Sequence, residues 1–268
     1  MPQISVLSAS PQKGVLTLTA VGYYFQAMDV KTLFKCFMRT YLMGGAFNTR
    51  GLQNVGLIYA LDPALRRIYP EGKSLQRARK RHVRLYNSHP FWNPLLLGIF
   101  IYLEGETAKG LLPEGTIGKV KSTVVYTLSA IGDSFFGGSL LVTWALGTML
   151  LWFSGYKVAA WTVTGSAFLF LQVFKVYVFY MGLTRGIAFL NRLKSWNLIN
   201  WGAAIKLFNA VLLLILVFVL WPRGVGCPAF LAFAPGIAGY AYAVFRLPAL
   251  REFLIAVAFA AGMIIFSF

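Results

Sequence analysis

The sequence predicts an all-α integral membrane protein: amphipathic interfacial N-terminal helices, followed by re-entrant hairpins and transmembrane helices. Three observations carry this. First, apolar residues make up 58% of the 268 and charged residues 12%, about half the charged share of a soluble domain; mean hydropathy is +0.66. Such a chain has too few polar side chains to cover a soluble surface, and it is too hydrophobic for intrinsic disorder. Second, Lys and Arg outnumber Asp and Glu by 25 to 8. In an apolar chain that excess reads as cytoplasmic loops facing anionic lipid. No recognition motif accompanies it, so nucleic acid is not an expected partner. Third, sixteen of the 25 cations fall in residues 1–121 and nine in the remaining 147. The chain therefore divides into an N-terminal tail (1–30), a basic interfacial region (31–121) and a transmembrane and hairpin region (122–268).

Within the tail, VLTLTAVGYYF (15–25) follows Lys13 and weakly resembles a signal peptide, but no small-residue cleavage site follows it. An extended tail, or a true start at Met28, is the expectation. Residues 31–43 form the first predicted helix. Lys31, Lys35 and Arg39 recur at i, i+4 and i+8, and Phe34, Met38 and Leu42 make an apolar row beside them. That is the pattern of a helix lying at the headgroup layer. Gly44-Gly45 ends it. A second helix is expected over 48–59, stopping near Asp62-Pro63.

The stretch 73–86 (KSLQRARKRHVRLY) places Leu75, Ala78, His82 and Leu85 on one face and Arg77, Lys80, Arg81 and Arg84 on another. Eight cations lie between Arg66 and Arg84 against one acid, Glu71, so this region is expected to be cytoplasmic in a multi-pass inner-membrane protein. Anionic lipid is the expected partner of its basic face.

After His89-Pro90 the character changes. FWNPLLLGIFIYL (91–103) is too short for a span of about 20 residues and reads as a re-entrant arm. Residues 122–153 are apolar but interrupted at Gly132-Asp133 and Gly137-Gly138, which suggests a broken or hairpin helix of the sort that lines substrate sites. Residues 158–183 are a clear span, with Gln172 and Lys175 as polar interruptions. Residues 203–221, 229–245 and 253–268 are further candidates.

Chemistry-bearing residues are few. Cys36 and Cys227 have no framework spacing. Two histidines without a CxxC give no metal site, and no cofactor is expected. His82 and His89 lack the carboxylate-oriented pairing of a phosphoacceptor, and there is no phosphate loop. Trp92, Trp144, Trp152 and Trp161 suit interface anchoring better than sugar stacking. The informative acids are Glu104 and Asp133, which border or interrupt apolar runs. An intramembrane carboxylate costs about 2.5–3.5 kcal/mol and so has a partner or a function. A carboxylate can accept hydrogen bonds from two sugar hydroxyls. Asp133 could equally cap a helix in a hairpin turn.

Five ordered blocks carry a resemblance. GAFNTRGLQNVGLIYALDPALRRIYP (45–70) resembles a helix with an S-W-N-x-E-R-M-Q core and a P-x-[IL]-[KR]-[KR]-[IL]-Y-P end. RKRHVRLYNSHPF (79–91) resembles R-H-L-x-F-F-N-T-[HQ]-P-[FY], and LLLGIFIYLEGETAKG (95–110) resembles L-G-x-x-x-A-L-E-E-x-x-A-N-G. LSAIGDSFFGGS (128–139) is similar to a G-P-L-[AS]-G-[IV]-G-D-P-x-[FW]-W-G-T hairpin, and YMGLTRGIAFL (180–190) to Y-G-x-x-x-G-I-x-x-[IV]. In this order the blocks resemble the IID component of mannose/fructose/sorbose-type sugar phosphotransferase systems.

The resemblance implies a non-catalytic permease subunit, driven by phosphoenolpyruvate through separate IIA and IIB phosphocarriers. It implies pairing with a IIC subunit in a hetero-oligomer that moves a hexose. It carries over Asp133, Asn48, Gln53 and Glu104 as substrate contacts and Gly132, Asn87 and Pro90 as structural or hairpin positions. On one regular helix Asn48 and Gln53 would stand about 140° apart, so a bend would be needed to bring both to one site. The chain departs from the pattern at Phe47, Arg50-Gly51, Tyr126-Thr127, Ser134 and Gly137. The polar insert before the last helices is reduced to WPRGVGCP (221–228). An alternative expectation follows: a IID-derived regulatory protein that keeps the scaffold and has lost transport. An autonomous membrane enzyme has no nucleophile–base constellation behind it.

Overall fold

The computed structural model describes residues 28–70 and 72–221, with scattered positions between 235 and 257. The expected tail, Cys227 and most of the candidate spans 229–245 and 253–268 lie outside the described residues. The chain divides into two compact units, Met1–Leu212 and Leu213–Phe268; everything below concerns the first. Apart from two isolated β-bridges, its described elements are helical.

Helix α1 (Val30–Arg39) continues into a 3-10 turn, Thr40–Ala46. Leu33, Cys36, Phe37 and Met43 are buried, while Val30, Phe34, Met38 and Leu42 stay exposed. The inner row packs on a long apolar helix: Phe37 meets Phe179 at 5.4 Å, and Tyr41 Oη donates to Gln172 at 2.6 Å. The predicted outer row remains an apolar surface. Burial pushes the Cys36 thiol up to about 12, which makes it an inert packing residue.

Helix α2 (Asn54–Ile68) starts six residues later than expected and runs through Pro63. Proline removes the N–H that would bond Tyr59 O. Arg39 supplies a replacement: its Nη1 donates to Tyr59 O at 2.7 Å while the guanidinium sits 4.0 Å above the Tyr59 ring. A covered carbonyl lets the helix continue.

Helix α3 (Lys73–His82) ends four residues short of the expected stretch; it buries Leu75, Ala78 and His82 of the predicted apolar face, while Leu85 of that face lies beyond the helix and is exposed. Helix α4 (Asn93–Ala108) is apolar almost all round and almost wholly buried, the expected pairing of pattern and place. The segment read as a re-entrant arm is thus the central helix of the unit. It crosses the long apolar helix at two glycines. A Cβ on Gly98 would lie 2.6 Å from Phe179 O, and one on Gly182 2.5 Å from Leu95 O, so the two backbones touch as only glycine permits.

Helices α5 (Glu114–Gly132) and α6 (Leu141–Phe153) join through a π-helical stretch, Asp133–Leu140. The expected hairpin is therefore corrected: the chain forms one 40-residue helix here, with a widened turn where the glycines fall. At roughly 60 Å it exceeds the hydrocarbon thickness, so its polar start extends beyond the bilayer. The expected change of character at residues 121–122 falls inside α5. Helix α7 (Lys157–Arg185) realises the clear span. After the short α8 (Ala188–Ser195), Asn197 at φ +51° turns the chain into α9 (Leu198–Leu220). Three stretches, Glu114–Phe153, Lys157–Arg185 and Ala188–Leu220, are long and apolar enough to cross a membrane. Trp152 and Trp161, exposed where α6 ends and α7 begins, stack edge-on at 6.3 Å, as anchors at an interface do.

Candidate functional site

Two carboxylates flagged by the sequence have opposite surroundings. Glu104, on α4, is fully buried. Arg81 donates to its Oε1 at 2.8 Å and to its Oε2 at 2.7 Å, His82 Nε2 reaches Oε1 at 2.7 Å, and Tyr69 Oη donates to Oε2 at 3.1 Å. Burial alone would raise this carboxyl's pKa, but the Arg81 and His82 hydrogen bonds outweigh it and hold it below the usual range. His82 is pulled down by its own burial. Facing a carboxylate oxygen, which only accepts, its Nε2 donates, and its Nδ1 has no hydrogen-bond partner among the described residues. The cluster ties α2, α3 and α4 together. The structure does not place Glu104 where the expectation of a substrate contact would have it: the residue is buried and both oxygens are engaged by Arg81, His82 and Tyr69.

Asn48 and Gln53 are also placed differently from the expectation of one helix. Asn48 organises the loop before α2: its Oδ1 accepts from Gly51 N at 2.8 Å and Arg50 N at 3.2 Å, and its Nδ2 donates to Asn54 Oδ1 at 2.9 Å. Gly51 gives the Asn54 amide its room, since a Cβ there would collide with it. Gln53 Oε1 lies 3.5 Å from both Ser88 N and Asn93 Nδ2. The loop pairs with the 86–88 segment through Gln53 N to Tyr86 O at 2.8 Å, and Asn87 sits half-buried in that segment. Pro90 opens the first turn into α4, where Trp92 N bonds His89 O at 2.8 Å. These residues form a polar knot that sets the position of His89.

Asp133 is the other case. It has helical dihedrals, φ −62° and ψ −42°, inside a continuous helix, so the hairpin-cap reading is corrected as well. Its side chain is exposed, and among the described residues it has no hydrogen-bond or ion-pair partner. The residue before it, Gly132, is pressed against His89 Cβ and Trp92, which a side chain there would strike. Gly132 is thus a contact glycine rather than a hairpin glycine.

Around Asp133 lie groups that the sequence reading did not connect. The His89 ring stacks between Phe91 and Phe136, 5.4 Å from each. Its Nδ1 accepts from Phe91 N at 3.4 Å, which leaves the proton of the neutral ring on Nε2, facing Gly137. Burial lowers the pKa of His89, and the Asp133 charge works against that shift. Across from it, Lys206 Nζ on α9 donates to Ser134 Oγ at 2.9 Å. Buried Ser139 Oγ lies 2.9 Å from Ser134 O and 3.0 Å from Gly202 O. Asn209 Nδ2 donates to Ser139 O at 2.9 Å, and its Oδ1 accepts from Thr143 at 2.7 Å. Asp133, Ser134 and Lys206, in stretches that can cross a membrane, and His89, in the loop before α4, therefore border the bare backbone of Gly137 and Gly138. Lys206 and Asn209 sit some seventy residues away in sequence, and no local pattern joins them to Asp133.

Residues 27–219 match the family described as "PTS system mannose/fructose/sorbose family IID component". The mannose-specific EIID component of Escherichia coli K12 is 32% identical over 106 residues, 39% of this chain and 38% of that one. The fructose permease IID component of Bacillus subtilis is 30% identical over 122 residues, 45% and 44% of the two chains. The aligned stretch thus spans about two fifths of the length of each of these relatives. Among solved structures, a chain in the cryo-EM structure of the mannose transporter ManYZ with microcin E492 superposes with a TM-score of 0.54. It is 25% identical, and the match covers 73% of this chain and 72% of that one. A second membrane-protein structure, 22% identical with a TM-score of 0.57, shares the fold. The family match covers residues 27–219, most of the chain: the chain belongs to the IID component family of mannose/fructose/sorbose phosphotransferase systems.

Proposed function

We infer that the chain is a non-catalytic permease subunit that pairs with a IIC subunit to form a sugar pathway, in a system driven by phosphoenolpyruvate through IIA and IIB phosphocarriers. The observation that carries this reading is the exposed Asp133 carboxylate in a membrane-spanning helix, with no partner among the described residues. In lipid such a group needs a donor from outside the chain. Two adjacent hydroxyls of a hexose fit a carboxylate, His89 Nε2–H can donate to a ring or hydroxyl oxygen, and Gly137 and Gly138 leave room for the sugar. Lys206 offsets the negative charge nearby. Asn48, Gln53 and Asn87 act indirectly, by holding His89 in place. Glu104 acts as a structural residue. The ManYZ likeness supports a hetero-oligomer, since that transporter's structure contains a chain of the same fold.

The basic α2–α3 region faces the cytoplasm in this reading. Lys73→Cys should react with impermeant thiol reagents in inverted vesicles and not in spheroplasts; the reverse would overturn the orientation. The function itself is tested by reconstituting the chain with its candidate IIC partner and phosphocarriers and measuring sugar uptake. Uptake that needs both membrane subunits is the expected result. An intact complex that transports no hexose would instead favour a regulatory role.

A further inference from the structure

The acids in the first unit are nearly all committed. Asp62 holds Arg66 and Arg79, Asp29 holds Arg67, and Glu104 holds Arg81. Glu114 serves Arg81 at 2.8 Å and Arg77 at 3.7 Å. Among the described residues this leaves Lys80 and Arg84 without an acidic partner, and Arg77 with a loose one shared with Arg81. These three cations line one cleft of about 620 Å3 between α3 and the first turns of α5, together with the ion-paired Arg81 and Glu114; its far wall includes Gly115 and Gly118. A Cβ on either glycine would meet nothing within 4 Å, so the wall is open backbone. Exposed Val83 lies in the cleft, and exposed Leu85 and Leu111 flank α3 and α5 in sequence. The cleft sits where the 40-residue helix begins, at its polar end beyond the hydrocarbon. An excess of cations over the single acid Glu114, beside exposed apolar side chains at that depth, matches the boundary between headgroups and acyl chains.

We propose that this cleft is a discrete binding site for the phosphate of an anionic phospholipid, held by Arg77, Lys80 and Arg84, with the acyl chains leaving past Val83 and Leu85. The proposal rests on the reading of this region as the membrane-facing basic shoulder. It goes beyond diffuse attraction by naming a pocket with a shape. Arginine pairs with a phosphate in a fixed fork, whereas lysine adds a point charge.

The test uses the full chain in detergent with equal amounts of phosphatidylglycerol and phosphatidylcholine, reading retained lipid by native mass spectrometry. The parent should retain phosphatidylglycerol preferentially. Lys80→Gln with Arg84→Gln should lower that retention by about thirtyfold, as expected for two cations at an anionic headgroup. Gly118→Leu should lower it too, with every charge in place and a fold that has room for the side chain. The charge-matched pair Lys31→Gln with Lys35→Gln, on α1, should leave it unchanged. Equal loss in the α1 pair, or retention in Gly118→Leu, would overturn the site in favour of diffuse electrostatics. Displacement of lipid by low-millimolar inorganic phosphate would assign the cleft to a soluble phosphate instead. Unchanged lipid retention in the α3 pair, with loss of binding to an acidic phosphocarrier protein, would make the cleft a protein-docking surface. A chain recovered in the soluble fraction would defeat the membrane reading. A membrane-extracted chain holding both lipids equally would defeat only the cleft.

Discussion

Glu104 and Asp133 are both carboxylates in apolar surroundings, yet the fold treats them oppositely. Glu104 is enclosed and fully engaged by Arg81, His82 and Tyr69. Asp133 is exposed inside a spanning helix, with no partner among the described residues. The difference teaches that an acid inside an apolar run is not by itself a functional site. What separates the two is whether the chain satisfies the charge internally. A closed network gives a stability residue; an open carboxylate is left for something the chain does not contain. Each experiment below either breaks that division or sharpens it.

The largest expected effect is on the closed side. Removing the Glu104 charge takes the bidentate partner from Arg81, whose side chain is only 13% exposed, and leaves it Glu114 as its one acidic partner among the described residues. Breaking one side of a buried pair costs about 3–5 kcal/mol. Glu104→Ala should therefore abolish stable accumulation in the membrane, and Glu104→Gln should lower thermal stability sharply in fluorescence-detected size-exclusion assays. A Glu104→Gln protein with parent stability and lost uptake would reverse the assignment and make Glu104 the substrate residue.

Asp133→Asn is the counterpart. With no internal partner to lose, it should leave abundance, melting and IIC pairing unchanged. A lost charge-assisted hydrogen bond is worth roughly 1.5–3 kcal/mol, about ten- to a hundredfold in affinity, so uptake should fall by that order. His89→Phe, which keeps a ring between Phe91 and Phe136, should show a smaller loss of the same kind. Full uptake in Asp133→Asn would move the open carboxylate to a purely structural contact with the partner subunit.

A smaller effect tests the π-helical frame that carries Asp133. Ser139 is buried and links that stretch to Gly202 on α9. Ser139→Ala should cost about 1 kcal/mol of stability, the typical net worth of one hydrogen bond, read as a modest drop in melting temperature.

How much of this was legible in the sequence follows from range. The span 158–183 emerged as Lys157–Arg185 because a long apolar run needs no information from elsewhere. The interruption at Gly132-Asp133 and Gly137-Gly138 was legible as a departure from regular helix. Its form was not, because glycines mark where an α-helix can deviate without saying whether it turns or widens. Pro63 read as a stop, since only the fold reveals that Arg39 covers Tyr59 O. Asn48 read as helical because an Asn that folds its own loop looks the same in sequence as one on a helix face. In the site, Asp133 was legible as a rare acid in an apolar run. Nothing in the sequence joins His89 or Lys206 to it. Their proximity is made by the packing of α4, the π-helical stretch and α9, and no spacing rule encodes it.

The smallest effect concerns pH, and it separates the two residues of the closed cluster. Both His82 and Glu104 have depressed folded-state pKa values, His82 because burial disfavours its charged form and Glu104 because Arg81 and His82 outweigh burial. For a depressed group, stability is fully present above the unfolded value and is lost as pH falls through the folded one. The unfolded values are near 6.5 for His82 and 4.5 for Glu104. Through these two groups, melting temperature should decline as pH drops below about 6.5 and decline again below about 4.5. His82→Gln retains an amide donor toward Glu104 but cannot titrate. It should shrink the upper step to the part that the burial-lowered His89 contributes, and keep the lower one. If the upper step is undiminished in His82→Gln, the proton taken up between these values belongs to His89 or another group, and the closed cluster is not where acid first loosens the fold.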